Sequence, residues 1–340
     1  MARRPRRSDR VTAARPETRA AAEAVGTRLG PLGFGAAPIG NLYREVTDAE
    51  ARAALETAWA GGIRYFDTAP HYGLGLSERR LGAFLRERPR DEFVVSTKVG
   101  RILEPNPDFA GGDDLDHGFA VPNDLVRRFD PSETGVRKSL EDSLERLGLD
   151  RVDVLYLHDP DAYDLDRGLA EALPALAKLR DEGLVAAIGI GVNDAAVAAR
   201  AVREGDLDLV MIAGRYTLLE QPALDDLLPL CVERGVGVVA AAPFNSGLLA
   251  RDTPPADATY NYGDVPADVL ARARELADIC RAEGVSLPVA AVQYPLRHPA
   301  VRSVVAGTAR ADAVRENVDR LHTPIPDGFW ERLEAQGVIP

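Results

Sequence analysis

Short apolar runs recur along this chain of 340 residues, and a helix-like segment separates each run from the next. The runs lack strict alternation of polar and apolar residues, which is typical of parallel strands that are buried on both faces. They begin near residues 32, 63, 93, 152, 185, 208, 236 and 301. Because about eight strand–helix units close naturally into a cylinder, the pattern predicts a single-domain (β/α)8 TIM barrel.

The alternative architecture is an open, doubly wound sheet. Such a sheet usually carries a G-x-G-x-x-G turn after its first strand, where the backbone approaches a pyrophosphate. The first apolar run here ends in no such turn, and the "GIG" at 189–191 lacks the third glycine. The sequence therefore favours the barrel.

Residues 1–27 precede this pattern and are rich in arginine, beginning "MARRPRRSDR". No apolar segment follows the arginine pairs before Leu29, which disfavours an export signal. We expect residues 1–27 to form a disordered basic leader and residues 28–340 to form the barrel domain. No apolar run approaches the roughly 18 residues that a membrane-spanning helix needs. These features predict a cytoplasmic protein.

Charge and cysteine content narrow the possible partners. A formal net charge of -12 argues against nucleic acid or an anionic membrane surface as a partner. Cys231 and Cys280 lack metal-binding or redox spacing, so we expect two reduced, buried thiols and no metal site. The oligomeric state is left open.

Two connections are longer than barrel packing requires. Residues 99–130 follow the third strand and residues 245–264 follow the seventh. Both would lie at the C-terminal face of the barrel, where active sites are built, so we expect them to form walls of the site. Their aromatic side chains should turn away from water; these are Phe109, Phe119, Tyr260 and Tyr262.

Three apolar runs end in an ionisable residue, namely Asp67, Lys98 and His158. Since alternate residues of a strand share a face, all three would point into the mouth of the barrel, where Tyr72 on the following loop can cover them. Taken singly, each residue has an ordinary explanation. Asp67 could cap a turn and Lys98 could reach solvent. His158 could be a core histidine, and Tyr72 could be a packed loop aromatic. The joint pattern favours a reactive site.

An ammonium beside a phenol stabilises the phenolate. Two unit charges about 4 Å apart interact by roughly 4 kcal/mol at an effective dielectric of about 20. An interaction of that size brings the pKa of a tyrosine from about 10 toward about 7 before desolvation opposes it. Asp67 would hold Lys98 charged and oriented, and Tyr72 could then donate or accept a proton near neutral pH.

Three segments resemble the signatures of the aldo-keto reductase family: "RYFDTAPHYGLGLSERRLG", "VRKSLEDSLERLGLDRVDVLYLHDPD" and "VVAGTARADAVRENV". The resemblance runs from about Arg28 to the end of the chain. It implies a (β/α)8 barrel that binds NAD(P)(H) in extended form without a Rossmann motif. It also implies a catalytic tetrad of Asp67, Tyr72, Lys98 and His158, with hydride transfer between C4 of nicotinamide and a carbonyl carbon, and with no need for a metal.

The resemblance also implies a set of cofactor-binding residues. Asn193 would bind the carboxamide, although Val192 replaces the serine that usually precedes it, and Tyr216 would stack on the nicotinamide. The remaining positions match the pyrophosphate loop and the adenosine-binding segment: Pro243, Phe244, Asn245, Ser246, Leu248, Gly307, Thr308, Arg310 and Asn317. Asp312 and Ala313 occupy a region where members that prefer NADPH carry cations, which favours NAD, although Arg310 and Arg315 remain available.

Within the family, "RYTLLEQ", "APFNSGLLA", "YNYGDVPADVLAR" and "FWERLEAQGVIP" resemble the D-threo-aldose (L-fucose) and pyridoxal 4-dehydrogenases. This implies oxidation of an aldose at C1 to the lactone. The alternatives are an NADPH-dependent aldehyde or ketone reductase, a pyridoxal 4-dehydrogenase and a nucleotide-binding regulatory subunit. Candidate substrate residues are Tyr43, Tyr260, Tyr262 and Trp330. We expect the other histidines, namely His71, His117, His298 and His322, to be structural or solvated.

Overall fold

The computed structural model describes residues 16–261 and 263–340. Its main sheet is a closed barrel in which every neighbouring pair of strands is parallel and the first strand pairs with the last. Numbered one to eight in chain order, the strands are Leu32–Gly35, Tyr65–Asp67, Val94–Val99, Val154–His158, Ala187–Val192, Leu209–Ala213, Gly237–Ala241 and Val301–Gly307. The predicted barrel is confirmed.

Helices connect successive strands and cover the outside of the barrel. Those after strands one to seven include Asp48–Ala60, Leu76–Leu85, Glu133–Leu147, Leu173–Asp181, Ala195–Glu204, Leu227–Arg234, Ala267–Ala282 and Leu287–Gln293. Two more, Ala311–His322 and Phe329–Ala335, follow strand eight. The first of these helices begins at a capping box, in which Thr47 and Glu50 each accept the other's backbone N–H and so satisfy two N–H groups that a helix end leaves unpaired. Within the described residues, no helix has the length and apolar character to cross a membrane.

A helix also precedes the first strand, at Pro16–Arg28. Its Ala22 and Val25, together with Leu29, are buried against the first residues of strands three, four and five. It therefore covers the N-terminal end of the barrel, which would otherwise expose apolar interior residues. This corrects the prediction of a disordered leader for residues 16–27, because burial against the barrel outweighs the weak local pattern. Residues 1–15 lie outside the described residues.

Two tyrosines, Tyr65 and Tyr156, fill the barrel interior, and two glycines make room for them. A Cβ on Gly33 would lie 2.6 Å from the Tyr65 ring, and a Cβ on Gly189 would lie 2.8 Å from the Tyr156 ring. Both tyrosines are fully buried. The glycine of "GIG" at 189 thus serves packing inside the barrel, in agreement with the rejection of a dinucleotide-binding turn.

The connection after strand three is a folded structure of its own. Residues Arg101–Pro105 pair with Leu125–Phe129 in an antiparallel ladder, called here the outer hairpin. A smaller ladder, Asp113–Asp114 with Phe119–Pro122, lies within it. Phe119 is buried and bridges to Leu42, which follows strand one. Phe109 is 45 % exposed at a turn between the two ladders, so the expectation that its ring faces inward is wrong.

The connection after strand seven contains a short antiparallel pair, Thr259–Tyr260 with Gly263–Asp264. Tyr260 is half-buried, and Tyr262 lies outside the described residues. Both cysteines are buried free thiols, in agreement with the prediction. Burial raises the pKa of Cys231 and of Cys280 to about 12, so neither thiol is reactive near neutral pH.

Candidate active site

Strands two, three and four bring three ionisable side chains to one end of the barrel. Asp67 is the last residue of strand two, Lys98 is the last but one of strand three, and His158 is the last of strand four. All three are buried, Lys98 to 2 % exposure. The two-residue period of a strand therefore converts three separate sequence positions into one cluster.

Lys98 is the centre of this cluster. Its Nζ donates to Asp67 Oδ2 at 2.6 Å, to the Thr68 carbonyl oxygen at 2.9 Å and to the Tyr72 hydroxyl oxygen at 3.1 Å. Burial disfavours the ammonium, but Asp67 and Tyr72 outweigh it and raise the pKa of Lys98 above its ordinary value. Lys98 therefore carries a positive charge at neutral pH, and its ammonium contacts the phenol oxygen of Tyr72 directly.

A chain of hydroxyl groups in the barrel interior holds the Asp67 carboxylate in position. Ser96 Oγ donates to Asp67 Oδ1 at 2.7 Å, and the Tyr65 hydroxyl lies 3.1 Å from Ser96 Oγ and 3.4 Å from the Tyr156 hydroxyl. Burial raises the pKa of both tyrosines, so they stay neutral. Tyr65, Ser96 and Tyr156 lie two positions before Asp67, Lys98 and His158, respectively. The two-residue period of a strand places them on the same inner face, but the predicted site did not include them.

His158 presents a neutral imidazole beside Tyr72. The ring centroids are 5.8 Å apart and the planes are nearly perpendicular, at 89°. Burial, followed by the positive charges of Arg101 and Lys98, holds the pKa of His158 well below its ordinary value. Its Nδ1 is buried without a hydrogen-bond partner in the described part of the chain. A neutral imidazole in this position can donate a hydrogen bond to a substrate oxygen without adding charge.

His71 packs beside this cluster. Its ring lies 5.6 Å from that of His158 and 5.3 Å from that of Phe119. Burial, then Arg101 and Arg127, lower its pKa, so it is neutral as well. Phe119 in turn lies 6.2 Å from the Tyr72 ring. The connection after strand three thus brings Phe119 against this cluster.

Two ion pairs lie next to His71 and His158, and the sequence analysis predicted neither of them. Arg127 makes two hydrogen bonds to the Asp114 carboxylate and one to the His71 carbonyl oxygen. Arg101 donates to Asp159 Oδ2 at 2.7 Å, and the same oxygen lies 3.4 Å from His158 Nε2. Both arginines belong to the outer hairpin, so their partners depend on how that hairpin folds back over the barrel.

The candidate cofactor residues follow strands five to eight, across the mouth from the Lys98 cluster. Asn193 follows strand five, Tyr216 follows strand six, and Asn245 follows strand seven. The Asn193 carbonyl accepts from Arg215 Nε at 2.8 Å, and Asn245 Nδ2 donates to Glu220 at 3.0 Å. After strand eight, Thr308 Oγ1 accepts the Arg310 N–H at 3.2 Å and Asn317 Oδ1 accepts from Arg320 at 2.9 Å.

The segment after strand seven has an unusual backbone. Ala242, Asn245 and Ser246 have φ values of 56°, 45° and 58°, in the left-handed region that residues with a Cβ rarely adopt. Asn245 Oδ1 is also buried without a hydrogen-bond partner among the described residues. Strained backbone and an unsatisfied polar atom in one loop are typical of a place where a ligand completes the structure.

The candidate substrate residues differ in position. Tyr43 is exposed at the rim, with φ of 64° and its N–H donated to the Gly118 carbonyl at 2.7 Å. The Tyr260 hydroxyl donates to Glu220, and burial together with that bond raises the pKa of Tyr260 to about 12. Trp330 packs against Phe329 and Tyr294, and Tyr294 contacts Tyr216.

Comparison with known proteins identifies the family. The model of the aldo/keto reductase family matches residues 31–337. The chain belongs to the aldo/keto reductase family. This aldo/keto reductase is accordingly a single-barrel, NAD(P)-dependent oxidoreductase, as the resemblance of its three signature segments implied.

Three relatives are similar over most of their length. The chain is 55 % identical to D-threo-aldose 1-dehydrogenase of Pseudomonas sp, covering 95 % of this chain and 98 % of that protein. It is 40 % identical to pyridoxal 4-dehydrogenase of Microbacterium luteolum, with 92 % and 96 % covered. It is 33 % identical to L-galactose dehydrogenase of Arabidopsis thaliana, with 86 % and 84 % covered.

A solved structure is similar as well. An aldo-keto reductase of Bacillus halodurans, in its holo form, matches with a TM-score of 0.70 and 27 % identity. The match covers 91 % of this chain and 92 % of the other. The barrel of this aldo/keto reductase is therefore shared along nearly its whole length with a structurally characterised member of the family.

Proposed function

We propose that this aldo/keto reductase oxidises an aldose at C1 to the lactone, with Tyr72 as the general base. The contact between Lys98 Nζ and the Tyr72 hydroxyl oxygen, at 3.1 Å, is the observation that carries the mechanism. The 55 % identity to a D-threo-aldose 1-dehydrogenase supports the substrate class. In the reverse direction, the same phenol would act as the general acid.

Each group of the tetrad has a separate task. Bound NAD(P)+ supplies a hydride acceptor at C4 of its nicotinamide. Tyr72 takes the proton of the anomeric hydroxyl as the C1–H bond breaks and the C1–O double bond forms, and Lys98 stabilises the negative charge on the phenol oxygen beforehand. Asp67 holds Lys98, and the neutral His158 orients the sugar oxygen by a hydrogen bond. The abstracted proton would stay on Tyr72, and a bound NAD(P)+ would serve as the acceptor of the hydride.

The residues at the mouth fit a dinucleotide. The strained loop at 242–246 and the unsatisfied Asn245 Oδ1 are features that cofactor contacts would complete. Asn193 and Tyr216 would hold the nicotinamide end, and Thr308, Arg310 and Asn317 the adenosine end. Tyr43, Tyr260 and Trp330 would contribute to the outer part of the substrate pocket.

We propose NAD rather than NADP as the cofactor, because Arg310, at the proposed adenosine end of the site, is already paired with a carboxylate. Arg310 at the start of the helix Ala311–His322 makes two hydrogen bonds to the Asp312 carboxylate. Removing the carboxylate by Asp312→Ser should free Arg310 for a 2′-phosphate. We expect the ratio of kcat/KM for NADP+ over NAD+ to rise about tenfold, which is typical of one exposed charge-assisted contact. Steady-state kinetics with both cofactors measures this ratio.

Asp319→Ser is the matched control for that prediction, since it removes the same charge from the same helix about two turns away. It should leave the ratio unchanged. An equal rise in both variants would show that net charge decides the preference, and no rise in Asp312→Ser would rule out the Arg310–Asp312 pair as its cause.

The proposed function is tested by product analysis. The enzyme is supplied with NAD+ or NADP+ and with L-fucose, D-arabinose or pyridoxal, and the product is identified as lactone or not. Lactone from an aldose at the highest kcat/KM is the expected result. Turnover of pyridoxal alone would favour the second candidate, which the 40 % identity to a pyridoxal 4-dehydrogenase supports. Carbonyl reduction with NADPH and no sugar oxidation would favour a general reductase.

A further inference from the structure

We infer that Asp159 and Arg101 together form a binding subsite for two adjacent hydroxyl groups of the sugar, at C2 and C3. This inference rests on the proposed oxidation at C1. It adds a determinant of substrate class, namely that the site selects a neutral, polyhydroxylated aldose over a simple aldehyde.

The position of the pair follows from two elements. Asp159 comes directly after His158 at the end of strand four, with φ of 37° and its N–H bonded to the Gly191 carbonyl at 3.0 Å. Arg101 opens the outer hairpin and donates Nη2 to Asp159 Oδ2. That oxygen lies 3.4 Å from Nε2 of His158. The pair is therefore adjacent to the imidazole that would orient the anomeric oxygen.

The Arg101–Asp159 pair has one hydrogen bond, whereas the neighbouring Arg127–Asp114 pair has two. Arg127 and Asp114 form the full two-bond fork of a guanidinium and a carboxylate. Arg101 and Asp159 share a single hydrogen bond. Within the described residues, Asp159 Oδ1 accepts no hydrogen bond and Arg101 Nη1 donates none. One acceptor on Asp159 and one donor on Arg101 therefore remain for a ligand.

Because the Arg101 and Asp159 side chains are largely buried, leaving their polar atoms without hydrogen bonds costs free energy. The side chains of Arg101 and Asp159 are 7 % and 20 % exposed, and Arg101 Nε is enclosed without a partner in the described structure. Buried polar groups that lack partners are costly, so a ligand that satisfies them gains affinity. A vicinal diol offers one hydroxyl that donates to the carboxylate and a neighbouring hydroxyl that accepts from the guanidinium. Because the two charges cancel, the subsite fits a neutral diol better than an anionic group.

The test compares substrates that differ by one hydroxyl. We would measure kcat/KM for L-fucose and for 2-deoxy-L-fucose with NAD+, in the parent enzyme and in Asp159→Asn, Arg101→Met and the double variant. Asparagine tolerates the left-handed backbone of position 159, and the double variant leaves no unpaired buried charge. We expect each variant to lose about ten- to a hundredfold on L-fucose, the range of a lost charged hydrogen bond. The single variant that removes the partner of the C2 hydroxyl should lose less than about threefold on the deoxy sugar, whereas the other single variant should lose activity on both sugars.

Arg128→Met is the matched control, since Arg128 lies on the same hairpin in an exposed ion pair with Glu104 and Asp130. It should behave as the parent. Equal losses on both sugars in the Asp159 and Arg101 variants would overturn the subsite and assign the pair to positioning His158. Failure of the parent enzyme to oxidise any aldose would instead refute the proposed function, and the subsite with it.

Discussion

Replacing Tyr72 by phenylalanine is expected to lower kcat by at least about a hundredfold, the contribution of a positioned general acid or base. The substitution removes only the hydroxyl that Lys98 contacts at 3.1 Å. The ring contacts with Phe119 and His158 remain, so the fold should be unchanged. Steady-state turnover of the best aldose measures the loss, and titration with NAD+ should give the same Kd as in the parent enzyme.

Tyr163→Phe is the control for that experiment. Tyr163 is another partly exposed tyrosine near the mouth, its ring stacked on Phe129 at 4.8 Å, and its hydroxyl has no part in the proposed chemistry. It should keep nearly full turnover. If Tyr72→Phe also turned over at the parental rate, Tyr72 would not be the base, and a nucleotide-binding subunit without need of this hydroxyl would become the better interpretation.

Replacing Lys98 by methionine should damage both stability and activity. Asp67 would be left in the barrel interior without its cation, and breaking a buried pair in this way costs about 3–5 kcal/mol. The double variant Asp67→Asn/Lys98→Met removes both charges and should recover much of that stability. It should remain inactive, because nothing then stabilises negative charge on the Tyr72 oxygen. Urea unfolding midpoints and kcat measure the two effects separately.

Lys178→Met provides the comparison at an exposed pair. Lys178 and Glu133 form an ion pair whose side chains are 52 % and 55 % exposed, so its loss should cost no more than about 1 kcal/mol. A double variant at Asp67 and Lys98 that recovered activity along with stability would contradict the role proposed for Lys98. A single variant as stable as Lys178→Met would contradict the burial argument.

The periodicity of strands explains why much of the site was predictable. Asp67, Lys98 and His158 each end an apolar run, and the alternation of a strand fixes which of its residues share the inner face. Eight runs separated by helices also indicate parallel strands, because such strands need long crossovers, and the missing G-x-G-x-x-G turn favours the barrel over an open sheet. Geometry that repeats along the chain can be inferred from the chain alone.

Pairings between distant elements could not be inferred in this way. Arg101 and Arg127 were two cations among many in a long connection, and only the folding of the outer hairpin gives them Asp159 and Asp114 as partners. The helix Pro16–Arg28 is a similar case, since the open end of the barrel supplies the apolar surface that orders it. Such contacts depend on tertiary structure rather than on local pattern.

The helix that covers the N-terminal end of the barrel has a practical consequence. It lies against the first residues of strands three to five, whereas the Lys98 cluster lies at the last residues of strands two to four. Coupling the enzyme to a bead or an electrode through the outer surface of this helix would leave the opposite end of the cylinder facing the solution. Sugar could then diffuse in freely while the protein is held in one orientation.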